Sequence, residues 1–303
     1  MKRGIACICL SAFGFSLMAL FVRLADVVGE PLPSVEKAFF RNLCAFVIAS
    51  GILVGVVRRG SLSLRTLQPR DWVDLALRST FGTCGIFANF YALSLIPIAD
   101  AMTLNKLAPF VTLLASWALV GERMSRRSAF CVLGAFGGAL FVIKPGFVSG
   151  FSHGSFVGFL SGVCAGVAYA FVHRLGRRGV PAPFIVFFFS LFSTLACVPF
   201  MILWGRPMSL VQVAVLVAAG LGATLGQFGI TWAYRAAEPR QVAVYDYSGI
   251  LFTALFGFFV FGQVPDALSL VGFAVIILMA VLAFAIHTRT SPPLQSGRAS
   301  AIL

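Results

Sequence analysis

Long apolar stretches, each about the length of a membrane-crossing helix, alternate with short polar joints along almost the whole chain. A helix needs about 20 predominantly apolar residues to cross a hydrocarbon core of about 30 Å. The pattern predicts ten helical spans, at 4–22, 35–57, 73–95, 98–120, 127–144, 154–173, 182–204, 210–234, 239–262 and 267–287, of which span 5 is the shortest. Small residues recur inside them at helical spacing. Gly154, Gly158, Gly162 and Gly166 stand four apart in span 6, as do Gly134 and Gly138 in span 5 and Gly222 and Gly226 in span 8. Such stripes let a neighbouring backbone approach closely, either as static packing or as a sliding surface. Pro109 lies near the middle of span 4, where it removes an intrahelical hydrogen bond and predicts a kink.

The pattern is also written twice. Gly4, Leu10, Ser11, Phe21, Val22 and Pro33 recur as Gly154, Leu160, Ser161, Phe171, Val172 and Pro183 at a constant offset of 150 residues. Each copy holds five spans, and five is odd, so two copies in tandem enter the membrane from opposite sides. That predicts an inverted-topology repeat, with copies at 1–147 and 148–288 and a polar, Pro- and Ser-containing disordered tail at 289–303.

Composition agrees. Of 303 residues, 59% are hydrophobic and only 11% are charged, with a mean hydropathy of +0.97. A soluble domain is far richer in charge, so the fold class is an all-α integral membrane protein. Basic residues set the orientation. Lys2 and Arg3, then Arg58, Arg59, Arg65 and Arg70, then Arg123, Arg126 and Arg127 share one side with Arg174, Arg177, Arg178, Arg235, Arg240, Arg289 and Arg298. The alternate loops hold little beyond Arg23, Lys144 and Arg206. Both termini are therefore predicted to be cytoplasmic. The same placement accounts for the net charge of +13 without nucleic acid, because the cations sit at span ends beside lipid headgroups. The seven cysteines all fall within spans, with neither a C-x-x-C nor a His cluster beside them, so packing is expected rather than a metal or redox site. The first apolar run is longer than a signal peptide's core and belongs to the repeat.

Polar groups at membrane depth are costly and mark a pathway. Span 2 enters from outside and reaches Arg41 roughly 9 Å deep, and span 4 reaches Asn105 and Lys106 at roughly 10 Å. Asn89 of span 3 lies at a similar depth. In the second copy, span 9 enters from the cytoplasm and reaches Tyr245, Asp246 and Tyr247 after about seven residues. Tyr169 of span 6, with Gln227 and Tyr234 of span 8, also lies in the inner half. An offset of 141 maps Asn105 to Asp246, Thr112 to Thr253, Leu114 to Leu255 and Gly121 to Gly262, so the polar points of spans 4 and 9 straddle the midplane. Interfacial snorkelling remains an alternative for Arg41 and Lys106, and plain packing for Tyr169, Tyr245 and Tyr247. The short side chain of Asp246 cannot snorkel that far, which makes it the candidate for a coupling proton. Arg78, with Asp71 and Asp74 nearby, is read as a solvated cytoplasmic end, and Glu122 beside Arg123 as an ion pair.

Three stretches carry a family resemblance: ADAMTLNKLAPF (99–110) running into ALVGERMS, VEKAFFRN (35–42), and YDYSGILFTALFGFFVFGQVPDALSLVGFAVII (245–277). They resemble the drug/metabolite transporter superfamily, in its ten-span branch of two EamA-type domains, and especially the S-adenosylmethionine uptake carriers. The resemblance covers residues 4–287. One departure is that Gly121-Glu122 in the first copy becomes Gly262-Gln263 in the second. The resemblance implies a bacterial inner-membrane carrier with a central cavity lined by spans 1–4 and 6–9. The substrate expected is a small polar or zwitterionic metabolite. Arg41 and Lys106 would draw its anionic end, and Asp246 would take a cation or the coupling proton. Tyr169, Tyr245 and Tyr247 would give it aromatic surface, with Asn89, Asn105 and Gln227 completing the set. An exporter of drugs or amino-acid metabolites is the alternative. The expected partners are that substrate and the bilayer, with proton or exchange coupling and a homodimer left open. No cofactor is expected.

Other classes fare worse on the same residues. No H-E-x-x-H, G-x-S-x-G or P-loop pattern is present, so an enzyme lacks its usual parts. A scaffold or receptor subunit predicts that axial polar residues are dispensable. No filter motif or ring of like charges suggests a channel.

Overall fold

The computed structural model describes residues 2–58, 67–120, 126–143, 153–236 and 245–290. Gly121, Glu122 and residues 291–303 of the expected tail lie outside the described residues. All described regular structure is helical. In chain order the helices are α1 (Lys2–Val27), α2 (Ser34–Arg58), α3 (Pro69–Leu95), α4 (Ile98–Asn105), α5 (Ala108–Val120), α6 (Arg126–Ile143), α7 (His153–Arg177), α8 (Ala182–Trp204), α9 (Leu210–Ala236), α10 (Ser248–Phe261) and α11 (Ala267–Thr290).

Among the described residues, six helices are long and apolar enough to cross a membrane: α1, α2, α7, α8, α9 and α11. The others fall short for local reasons. α3 carries Arg70, Asp71, Asp74 and Arg78 in its first ten residues. α6 and α10 have shorter apolar runs, at Ala129–Val142 and Ser248–Phe261.

The stretch read as span 4 is not one kinked helix but two helices separated by a turn at Lys106 and Leu107. Pro109 has no N–H, so the Asn105 carbonyl loses the amide that would have continued α4. The ladder changes over around it. The Lys106 amide bonds to the carbonyls of Met102 and Thr103, the Leu107 amide to Leu104, and the Phe110 amide to Leu107. Pro109 then occupies the first turn of α5, where a missing N–H costs nothing. A matching turn occurs at Tyr247, between helical Tyr245-Asp246 and α10. This is the position that the offset of 141 pairs with Lys106, although no proline stands near it.

Packing alternates between the halves. α1 lies against α9 as α3 lies against α7, α2 faces α8, α6 faces α11, and α10 packs on α1 as α5 packs on α7. The glycine stripes make these approaches possible. A methyl group at Gly162 would lie 2.5 Å from the Leu104 carbonyl oxygen, and one at Gly166 would lie 2.7 Å from that of Ala108. α7 therefore runs directly along the interruption between α4 and α5. Gly222 and Gly226 of α9 meet Gly14 of α1 as closely, and Gly134 and Gly138 of α6 receive Met279, Val275 and Ile276 of α11.

Candidate functional site

The two interrupted segments meet at their turns. Lys106 Nζ and Asp246 Oδ2 form an ion pair at 2.6 Å, with both residues buried, 6% and 8% exposed. Asp246 Oδ1 has no hydrogen-bond partner among the described residues. The Tyr247 hydroxyl donates to the Lys106 carbonyl at 3.1 Å, replacing the amide that the turn took away. Tyr247 is otherwise packed in the apolar core, edge-on to Phe110. The Asn105 side-chain amide donates to Ser161 Oγ at 3.1 Å, and Ser161 donates onward to the Gly158 carbonyl of α7. A methyl group at Gly249 would lie 3.4 Å from Lys106 Nζ, so the absence of a side chain there makes room for the ammonium. The symmetric positions Thr112 and Thr253 behave alike: each hydroxyl donates to the carbonyl four residues back, at 2.8 and 2.9 Å.

A second buried group forms beside α8. Arg78 Cζ sits 3.5 Å from the centroid of the Phe189 ring, and Arg41 Cζ sits 5.4 Å from the same centroid. The two arginines are 2% and 5% exposed. Arg41 donates to Asn42 Oδ1 at 2.6 Å. Tyr169, half-buried on α7, is close enough to interact electrostatically with Arg41, Arg78 and Asp246. It is within electrostatic range of both groups.

The remaining sequence candidates are placed differently. Asn89 is buried, with its side-chain nitrogen unpartnered among the described residues. Gln227 is buried on α9. Tyr245 is 37% exposed and stands outside the buried group. The reading of Arg78 as a solvated end does not survive. α3 begins at Pro69, four residues earlier than expected, which puts Arg78 roughly 14 Å along the helix. Asp71 and Asp74 do stay at the helix start, where Arg174 pairs with Asp74 and Arg178 pairs with Asp71 at 2.9 Å and with Asp74 at 3.1 Å. Burial works against the charged form of Asp71, but the Gln68 amide and Arg178 outweigh it and hold its carboxyl below the usual range.

Sequence reasoning also passed over Lys37, fully buried and paired with Asp26 at 2.6 Å. The signal was available, since Lys37 and Arg41 are four apart and share a helix face. A cavity of about 340 Å³ opens between Arg126, Arg127, Phe130, Cys131, Leu282 and Ile286. None of the candidate residues lines it, and its apolar walls offer no chemistry, so the buried polar groups are the better candidate site. Among the described residues no cluster of His, Cys, Asp and Glu is arranged to hold a metal ion, and the seven cysteines are free thiols.

Comparison with known proteins places this geometry. The family model described as the EamA-like transporter family matches twice, over residues 2–144 and 152–285. The pseudopaline exporter CntI of Pseudomonas aeruginosa is 33% identical over 93% of this chain and 96% of its own length. The S-adenosylmethionine uptake transporter of Rickettsia bellii is 24% identical over 86% of each chain. A solved crystal structure superposes with a TM-score of 0.62 at 21% identity, covering 94% of this chain and 99% of the other, which shows a shared fold. The repeated family match and the full-length relatives make the chain a multi-pass membrane protein of the EamA-like transporter family.

Proposed function

We propose that the protein is a secondary active transporter of a small polar or zwitterionic metabolite, working by alternating access in the bacterial inner membrane. The Lys106–Asp246 pair, formed where the two interrupted segments meet, carries this reading. Interrupted helices that place charged groups at the junction of two repeats are a recurring design for carrier sites. The exchange of packing roles between halves supports an inverted repeat of ten spans, divided at 1–147 and 148–288, with cytoplasmic termini. No step in this cycle makes or breaks a covalent bond in the cargo.

The pair supplies a simple switch. A proton on Asp246 removes the carboxylate charge and frees the Lys106 ammonium for an anionic group of the cargo. Loss of the proton restores the pair and expels that group. Rocking of one half on the other, along the glycine-lined contacts of α7 with α4 and α5, would alternate access. The higher identity to an exporter than to an uptake carrier favours export.

Proteoliposomes loaded with radiolabelled S-adenosylmethionine or amino acids, with and without a pH gradient, test the reading. The expected result is gradient-driven flux for one of these solutes, with D246N reduced to gradient-independent exchange. Gradient-driven flux in D246N equal to wild type would remove Asp246 from the coupling role.

A further inference from the structure

Two permanently charged groups lie buried near one phenyl ring with no carboxylate paired to them among the described residues. Neither Arg41 nor Arg78 pairs with a carboxylate among the described residues, and the titratable groups close enough to act on Arg78 are Tyr169 and Arg41. A guanidinium does not shed its proton in a protein, so this site carries two positive charges throughout the cycle. Uncompensated charge of this kind is strongly disfavoured in a buried setting. The ring face of Phe189 offsets part of that and orients the forks.

The neighbouring polar atoms point the same way. Arg41 Nε, Asn42 Nδ2 and Arg78 Nε are buried with no hydrogen-bond partner among the described residues. All three belong to the two arginines or to Asn42, whose Oδ1 accepts from Arg41. Arg41 and Arg78 come from helices of the first half and Phe189 from α8 of the second, so the group lies between the halves. Donors in excess of acceptors, with a surplus of positive charge, specify what is missing: a ligand rich in anionic oxygens.

We propose that Arg41 and Arg78, held against Phe189, form a buried binding site for a cargo group carrying at least two negative charges, as carboxylates or as a phosphoryl group. The site deepens the carrier reading and rests on it, since it names the acidic class of the cargo. It is separate from Lys106–Asp246, whose charges cancel, and Tyr169 is within electrostatic range of both.

The test is equilibrium binding of radiolabelled citrate and, separately, of radiolabelled inorganic phosphate to the full-length protein in nanodiscs, at fixed ionic strength in chloride. The expected result is saturable binding of at least one probe, weakened about tenfold or more in R41Q and in R78Q, and unchanged in R127Q on an exposed helix start. Preference for citrate or for phosphate separates carboxylate from phosphoryl cargo. R41K and R78K keep the charge but lose the fork. They should bind more weakly than wild type and stand in if the glutamine variants do not fold. Absence of saturable binding of either probe, or undiminished binding in the arginine variants, overturns the assignment. Binding needs no translocation, so the two readings fail separately. A protein that moves solute in liposomes but binds neither anion refutes this site alone, whereas one that binds anions but moves nothing refutes the carrier.

Discussion

Removing one partner of the Lys106–Asp246 pair should cost far more than removing both. At 2.6 Å two unit charges attract by about 6 kcal/mol at an effective dielectric of about 20. Withdrawing each ion from water costs several kcal/mol, so the intact pair sits near balance. Neither half does. K106M leaves a buried carboxylate whose Oδ1 already lacks a partner among the described residues, and D246N leaves a buried ammonium. Each single variant is expected to lose about 3–5 kcal/mol, and the K106M/D246N double variant to recover to within about 2 kcal/mol of wild type. Reversible unfolding in mixed micelles, read by tryptophan fluorescence, measures all four corners of the cycle. If the double variant loses the sum of the two singles, the charges do not compensate each other and the reasoning fails.

Two further outcomes follow from the packing and the cytoplasmic ion pairs. G162A should destabilise by about 1–3 kcal/mol, because its methyl meets the Leu104 carbonyl backbone at 2.5 Å, whereas G51A, with open space around it, should be neutral or slightly stabilising in the same unfolding assay. D71N should lower the melting temperature at neutral pH by breaking the tie from α3 to Arg178, just past the end of α7. Because the folded carboxyl titrates below its unfolded value of about 4, that difference should hold from pH 7 down to about 4 and shrink only below it. A difference that already fades between pH 7 and 5 would contradict a carboxyl held low.

Much of the architecture was readable because bilayer physics leaves few choices: helix ends at Ala182–Trp204, Leu210 and Ala267 fall where the apolar runs begin or end. Pro109 announced a disturbance in span 4, but not its size. The difference between a kink and a full turn depends on α7, whose glycines let the loosened backbone be covered, and on Tyr247, whose hydroxyl meets the freed carbonyl. The second interruption had no proline to mark it and became visible only through its counterpart. Depth arithmetic brought Lys106 and Asp246 toward one another across 140 residues. It failed for Arg78, since the start of α3 is set by a capping arrangement of Gln68 and Asp71 that begins the helix in polar residues an apolar scan discards. Tyr245 was included because it neighbours Asp246, and adjacency along a helix is not shared direction.

The offset that aligns the halves gives the Lys106–Asp246 pair a symmetric counterpart in the positions Asn105 and Tyr247. Two identical subunits would carry both as ion pairs or neither. In this fused chain only one is charged, and the counterpart holds an amide and a phenol. The consequence is stoichiometric. One carboxylate at the junction can accept one proton per turnover, so the proposed cycle is limited at that point to single-proton coupling.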